Sequence, residues 1–573
     1  MSSPSLPRPA PSGRPASGRP ARTVPWRRAP HVLVAGRPGR VPAGTRVAVV
    51  GGGIAGISAA IVLAERGAEV TLLEAAPWLG GRLGAWPVTL PDGSEQVVEH
   101  GFHAFFRHYD TWRSILRRAD PSLGFLRPVE GYPVIARRWP AEDLGNLPAA
   151  PPFNLLALFA RSPSLRIREI LGADAALGFA LLAHSPEDTA QRFDGMSAAD
   201  FLARLGVSER ARQMLFEAFA RSFFCDQDGL SAAELVAMFH YYFLGNPAGI
   251  GFDAPSEDHL TAIWAPLAEY LRERGGVVRT GARVAGLAQV EGGWEVRIDR
   301  GRAGIGGPGA GTGGRDAAVD GPVPAVGGHG SGDGGGPGSR GGGAASDPVV
   351  AEHVVLALDP GALQALLAGS PVAPDLVRRA AALQVAPPFA VSRLWLDRDV
   401  GPDRAVFSAV AGEPTLDSVT IYSRLEGESA RWAARTGGSV LELHSYACRT
   451  PADATARMRA ELAGLWPETA SAQVRHVHER IEATAPAFPP GSAGTRPGVV
   501  TDAPGIRVAG DFVDCPYPSG LMERASMTGV LAANDILDAC GAGAEEIRGI
   551  AARGMLAGLP VHRLGRLGRN RGG

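Results

Sequence analysis

Between Thr45 and Ala76 the sequence, TRVAVVGGGIAGISAAIVLAERGAEVTLLEAA, leaves little choice of fold. Val47–Val50 is a short apolar run. A glycine cluster follows, then an apolar pattern of helical period that reaches Arg66, with Gly67 as its terminator. Val70–Leu73 is a second apolar run, closing at Glu74. This is a complete strand–helix–strand unit. Its glycines are spaced Gly51-x-Gly53-x-x-Gly56. The first permits a tight turn, the second lets backbone approach a pyrophosphate, and the third lets helix and strand pack closely. The helix start at Ile54 and Ala55 offers free N–H groups and partial positive charge to phosphates. Glu74, with Ala75 beside it, stands about twenty residues on, where a carboxylate accepts the ribose hydroxyls of a dinucleotide.

Two further motifs extend this reading. Leu79–Arg82 reads LGGR, and its Gly80, Gly81 and Arg82 suit a loop wrapped around a second cofactor moiety, with Arg82 near pyrophosphate. Near the other end, RVAGDFVD (507–514) finishes a strand in Gly510-Asp511, and a helix rich in small residues opens at Leu521 and Met522. In FAD folds an Asp at such a strand end bonds the ribityl chain, and the helix N-terminus faces the flavin pyrimidine oxygen. The nucleotide-binding unit is therefore expected to be built from both ends of the chain.

Together these motifs resemble the FAD-dependent amine oxidase and carotenoid desaturase superfamily over roughly residues 46–540. The segment Glu99–Asp120, EHGFHAFFRHYDTWRSILRRAD, is similar to a segment of the plant and cyanobacterial type carotene desaturases that passes close to the flavin ring. The resemblance implies that Gly101, Phe102 and His103 line the site, although His103 also reads as a buried core histidine. Phe223–Asn246 resembles the helical part of the same family's substrate domain. RVAGL (283–287) resembles the strand whose backbone contacts adenine, with Val284 at the contact. Within the superfamily the arrangement is most similar to the bacterial isorenieratene synthase (β-carotene desaturase/methyltransferase) group. Amine oxidases of the superfamily use a lysine to hold a water near the flavin, and this chain has no lysine. Its LGGR loop also continues as Leu83-Gly84-Ala85, without the Ser or Thr often found there.

The expected fold is α/β: a Rossmann-type FAD-binding domain, a parallel sheet with helices, plus an α+β substrate domain with a mixed sheet and a helical region. Residues 1–43 are rich in Pro, Arg, Ser, Gly and Ala and read as a disordered tail. The FAD-binding parts are 44–135, 246–299, 348–384 and 496–545. Between them fall a helical, membrane-facing substrate region (136–245) and substrate-domain strands (385–495). Nearly half of 300–347 is glycine, so it reads as a flexible insertion between two strands, and 546–573 as a basic tail.

Bulk properties remove several functions. A net charge of -1 collects no nucleic acid. Cys225, Cys448, Cys515 and Cys540 are far apart, which argues against a disulfide framework or a zinc site, so no metal is expected and a reducing cytosol is the simpler setting. No run reaches the ~18 apolar residues of a spanning helix. The short Phe153–Phe159 and Ile170–Ala183 runs read either as core helices or as segments dipping into a bilayer interface.

The resemblance implies oxidation of a hydrophobic polyene, with desaturation and an intramolecular methyl shift giving an aromatic ring, and a quinone or oxygen as terminal acceptor. His103 or Glu99 would take the proton. Phe102, Phe105, Phe106, Tyr109, Tyr241 and Tyr242 would serve either as cation-tolerant walls or as ordinary core. The expected location is the cytoplasm, peripheral to the inner face of the membrane. A linear carotene or squalene-type desaturase, an amine oxidase-like flavoenzyme and a non-catalytic FAD-binding protein are the alternatives.

Overall fold

A computed structural model of the chain describes residues 30–145, 147, 153–165, 175–245, 250–299, 347–370, 372–554 and 557. The expected glycine insertion, except for its last residue, and most of both tails lie outside the described residues.

The Thr45–Ala76 unit folds as its pattern dictates. Arg46–Val50 and Glu69–Leu73 pair in parallel, joined by the helix Ile54–Glu65. They sit inside a five-stranded sheet whose order is Val277–Arg279, Glu69–Leu73, Arg46–Val50, His353–Leu356, Ile506–Val508, all neighbours parallel. The sheet thus recruits strands from positions 46 to 508. The C-terminal helix Leu521–Ala539 packs along Ile54–Glu65 nearly backbone to backbone. A Cβ at Gly529 would collide with the Ala55 carbonyl oxygen, and the Ser58 and Ser526 hydroxyls hydrogen-bond at 2.9 Å. Small residues therefore hold the two helices side by side.

The second layer is a seven-stranded mixed sheet in the order Val474–Glu482, Phe389–Leu396, Ser439–Ser445, Ser418–Ile421, Phe407–Val410, Pro133–Ile135, Glu142–Asp143. Phe389–Leu396 and Ser439–Ser445 are buried along their whole length. One face packs Leu394, Leu396, Leu441 and Leu443 with Met458 and Leu462 of the helix Ala454–Leu465. The other face, one residue out of phase, carries Phe389, Val391, Arg393, Glu442 and His444 toward the nucleotide unit. The helical segments between 153 and 245 cover the remaining side.

Three elements differ from the sequence expectations, each through the strand it pairs with. Within the expected 1–43 tail, His31–Val34 forms a strand antiparallel to Ile547–Gly549, which lies in the expected 546–573 tail. The Arg66 guanidinium holds this edge in place by donating to the carbonyls of Arg37 (2.9 Å) and Gly543 (2.7 Å) and pairing with Glu545 (3.1 Å). Pro133–Ile135, expected with the nucleotide unit, instead joins the mixed sheet beside Phe407–Val410. Glu142–Asp143, expected within the helical region, extends that sheet by one further strand.

Candidate functional site

The two helices of the nucleotide unit place their N-termini on one cleft. Ile54 and Ala55 line it from one helix, Leu521 and Met522 from the other. Neither N-terminus carries a side-chain cap; the N-cap residues are Gly53 and Gly520. Orphan N–H groups at a helix start need an acceptor, and here they face open space rather than a protein carboxylate. A Cβ at Gly51, where φ is +107°, would collide with the Ala357 carbonyl oxygen. At Gly53 a Cβ would meet nothing nearer than the Gly80 carbonyl oxygen at 3.8 Å, so the room above Gly53 belongs to the cleft. These features fit a pyrophosphate group.

The other sequence-predicted residues divide into wall and support. Glu74, Ala75, Gly80, Gly81, Arg82, Phe102, His103, Val284, Gly510 and Asp511 line the cleft. Glu74 accepts from the Gly52 N–H (2.7 Å) and the Ala76 N–H (2.8 Å), which ties the glycine turn to the end of the second strand. Arg82 pairs with Asp511 at 2.6 Å, joining the LGGR loop to the C-terminal strand end 429 residues away. Gly56 and Gly101 stand behind the wall. A Cβ at Gly56 would strike the Gly51 carbonyl oxygen, and one at Gly101 (φ +117°) would lie 2.7 Å from the His444 ring.

The two residues expected to handle protons differ sharply. His103 lines the cleft, and its Nδ1–H donates to the Gly101 carbonyl at 2.7 Å, which leaves Nε2 as the acceptor. Burial and the neighbouring His259 push its pKa down to about 3, so the imidazole is neutral. Glu99 does not line the cleft. Its carboxylate accepts from Arg393 (3.2 Å), the Tyr422 hydroxyl (3.0 Å) and the His259 N–H (3.0 Å).

Arg393 also grips Glu442, at 2.8 Å, and Glu442 in turn accepts from the Phe102 N–H (2.6 Å) and from His444 (2.8 Å). Burial alone would raise the Glu442 carboxyl, but Arg393 and His444 outweigh it and hold it at about 2. Sequence reading missed Arg393, Tyr422, Glu442 and His444. The available signal was Glu-x-His inside the strand SVLELHS, which puts both polar groups on the same face as Arg393 in the adjacent strand FAVSRLWL.

Beyond the flavin-sized end the cleft becomes aromatic and apolar, lined by Tyr132, Phe219, Phe223, Phe224, Tyr242 and Phe407 among others. Phe102 stacks on Phe407 at 5.0 Å. Of the expected wall aromatics, Phe102, Phe106, Tyr109 and Tyr242 line the cleft, whereas Phe105 and Tyr241 are buried core outside it. Three π-helical turns, Arg212–Glu217, His240–Leu244 and Leu260–Trp264, each contribute residues to the wall. Such turns concentrate at functional sites. Phe224 and Leu521, both with positive φ (61° and 50°), also line it. The whole cleft measures about 3450 Å³, several times the roughly 300–1,000 Å³ of a drug-sized pocket. It has room for a large cofactor and a long second molecule together.

Residues 54–305 and 337–537 match the family described as flavin containing amine oxidoreductase. The chain is 41% identical over 500 residues to a carotenoid phi-ring synthase of Streptomyces griseus, covering 86% of this chain and 88% of that protein. It is 29% identical to a carotenoid phi-ring synthase of Chlorobaculum tepidum at the same coverage. A probable zeta-carotene desaturase of Synechococcus elongatus is 26% identical over 43% of this chain and 52% of its own length. Among solved structures, putrescine oxidase bound to putrescine superposes with a TM-score of 0.57 at 17% identity, covering 86% of this chain and 99% of that one. Cyclohexylamine oxidase from Brevibacterium oxydans superposes with a TM-score of 0.57 at 16% identity, covering 87% and 100%.

Proposed function

The chain belongs to the family of flavin-containing amine oxidoreductases, and from that premise we propose that it is an FAD-dependent carotenoid desaturase that converts β-type carotenoid rings into aromatic rings. The observation that carries this reading is the continuity of the cleft, in which a cradle fit for a dinucleotide runs without a wall into an aromatic, apolar arm. A polyene has no charge or polar handle to bind, so shape and aromatic faces are what can hold it.

Gly51, Gly53 and the helix start at Ile54 and Ala55 would hold the pyrophosphate, with Gly56 behind them letting the helix pack close to the glycine turn. Glu74 and Ala75 would receive the adenosine ribose, and Val284 the adenine. Gly80, Gly81 and Arg82 would wrap the far phosphate, with Gly510 and Asp511 on the ribityl chain. Leu521 and Met522 would present their helix terminus to the pyrimidine oxygen, while Gly101, Phe102 and His103 pass beside the ring system.

Aromatising one ring removes four hydrogens as two hydrides and two protons, and moves one methyl group to the neighbouring ring carbon. An oxidised flavin supplies the two-electron acceptor that takes a hydride from an allylic C–H bond. The cation left on the ring is a far stronger acid than imidazolium, so even a weakly basic imidazole such as His103 suffices to take its proton. Glu99, held by Arg393, Tyr422 and the His259 backbone, fixes the His103 segment rather than meeting the ring. Between oxidations a quinone or oxygen would serve as the terminal acceptor of the electrons. The chain would meet its substrate from the inner face of the cytoplasmic membrane; among the described residues no helix is long and apolar enough to cross one.

Expression in a β-carotene-producing bacterium, followed by chromatography and mass measurement of the pigments, tests the reading. The expected product is four hydrogens lighter per modified ring at constant carbon number. Unchanged β-carotene, with the protein shown to be folded and flavin-loaded, would overturn the ring assignment and turn attention to phytoene-type linear substrates.

A further inference from the structure

The ring reaction releases two protons from different carbons, and His103 has one free ring nitrogen. A second acceptor on the same stretch of wall would let the two losses use separate groups. His444 lines the cleft from the inward face of Ser439–Ser445, beside Val391 and Tyr446. Its ring lies against the Gly101–Phe102 backbone, close enough that a Cβ on Gly101 would be 2.7 Å from Cε1. His444 Nε2 stands 2.8 Å from Glu442 Oε1. Glu442 is ionised, because Arg393 grips it and the Phe102 N–H bonds it, so the shared proton sits on Nε2 and Nδ1 keeps its lone pair. The carboxylate does two things for the imidazole: it fixes the tautomer and it stabilises the imidazolium that forms when Nδ1 is protonated.

Resting on the ring-aromatising reading, we infer that His444, oriented by Glu442, is a second catalytic base that accepts a ring proton at Nδ1. In the balanced step, a ring C–H bond breaks heterolytically and its electron pair becomes a ring double bond that quenches the cation. The proton passes to His444 Nδ1, and a flavin held in the cradle would supply the two-electron acceptor for the hydride of that oxidation. Glu442 remains ionised throughout and acts as a positioning residue. The dyad has a different character from His103, whose ring hydrogen-bonds a backbone carbonyl and, among the described residues, no carboxylate.

The test uses full-length wild type, His444→Ala, His444→Gln and Glu442→Gln in the β-carotene host, with flavin content measured on each purified protein. His444→Gln keeps an N–H for Glu442 while lacking a basic nitrogen, so it serves where the alanine variant loses flavin. Removing a general base typically costs about 100-fold or more. Both His444 variants should therefore keep bound flavin but lose aromatic product by about that factor, either stalling completely or accumulating a pigment two hydrogens lighter per ring. Added imidazole should restore part of the activity of His444→Ala and none of Glu442→Gln. In wild type, the nitrogen-15 NMR signals of His444 should show a protonated Nε2 and a bare Nδ1, a preference that Glu442→Gln abolishes. Aromatic product within threefold of wild type in a flavin-loaded His444 variant would overturn the assignment. A flavin-loaded wild type that leaves β-carotene unchanged would instead sink the ring reading on which it rests.

Discussion

At the scale of single residues, backbone geometry decides most of the cofactor cradle. Gly51 holds φ at +107°, a conformation side chains rarely adopt, and its missing Cβ makes way for the Ala357 carbonyl. Gly51→Ala should therefore cost about 1–3 kcal/mol in backbone strain before any clash is counted. The expected outcome is a protein with a lowered melting temperature and flavin absorbance reduced to a small fraction of wild type; undiminished flavin occupancy would contradict this account of the turn. The buried charges follow a different logic. Arg393 is shared between two carboxyl groups, Glu99 at 3.2 Å and Glu442 at 2.8 Å. Removing one member of such a group leaves an unpaired charge in the interior, which is why these residues read as architecture as well as chemistry.

At the scale of elements, the start of the C-terminal helix does two tasks at once. Its free N–H groups face the cleft, while Glu523, one turn in, reaches away to accept from the Thr111 and Trp112 N–H groups at 2.8 and 2.9 Å. It thereby caps the helix Asp110–Ala119 from outside. Burial pushes the Glu523 carboxyl up to about 8. A carboxyl raised in the folded state favours folding while both states are protonated, and that contribution is lost as pH climbs from the ordinary carboxyl range through about 8. Stability should fall across this window with a slope of at most about 1.4 kcal/mol per pH unit from this group. Glu523→Gln keeps an acceptor for the Asp110–Ala119 helix and removes the titration. Urea midpoints of the variant should be flatter between pH 5 and about 8 than those of wild type; parallel curves for the two proteins would show that Glu523 stays ionised in the native state.

At the scale of the whole molecule, the cleft lies between the parallel and mixed sheets, and the helical region closes its apolar arm. That region also carries exposed apolar side chains, on which the proposed bilayer contact can be tested. Phe153 and Leu156, on the helix Phe153–Arg161, are 61% and 58% exposed, whereas large apolar side chains are ordinarily hidden. Their helix adjoins a turn that lines the arm, through the Asn154 amide and the Phe243 carbonyl. Phe153→Ser with Leu156→Ser should lower co-sedimentation with anionic phospholipid vesicles and leave flavin content and melting temperature within error of wild type. Equal sedimentation of the two proteins would place membrane contact elsewhere.

The strand–helix–strand unit, the LGGR loop and the Gly510-Asp511 strand end were legible in the sequence because each is a local pattern. A glycine spacing and an apolar period are fixed by steric and solvation rules that act over a few residues. Even the union of both chain ends could be read, since one cofactor needs all three motifs. The polar wall could not. Arg393, Glu442 and His444 become a network only when adjacent strands align in register and the Phe102 N–H is laid over them. The retirement of Glu99 from the cleft depends on the same pairing. The short HVLV strand escaped because its surroundings are rich in Pro, Gly and Arg, and its partner lies more than 500 residues away. Local rules choose the elements. The long-range packing of those elements decides which side chains lose water together, and so which carboxylate becomes a scaffold and which histidine faces the cleft.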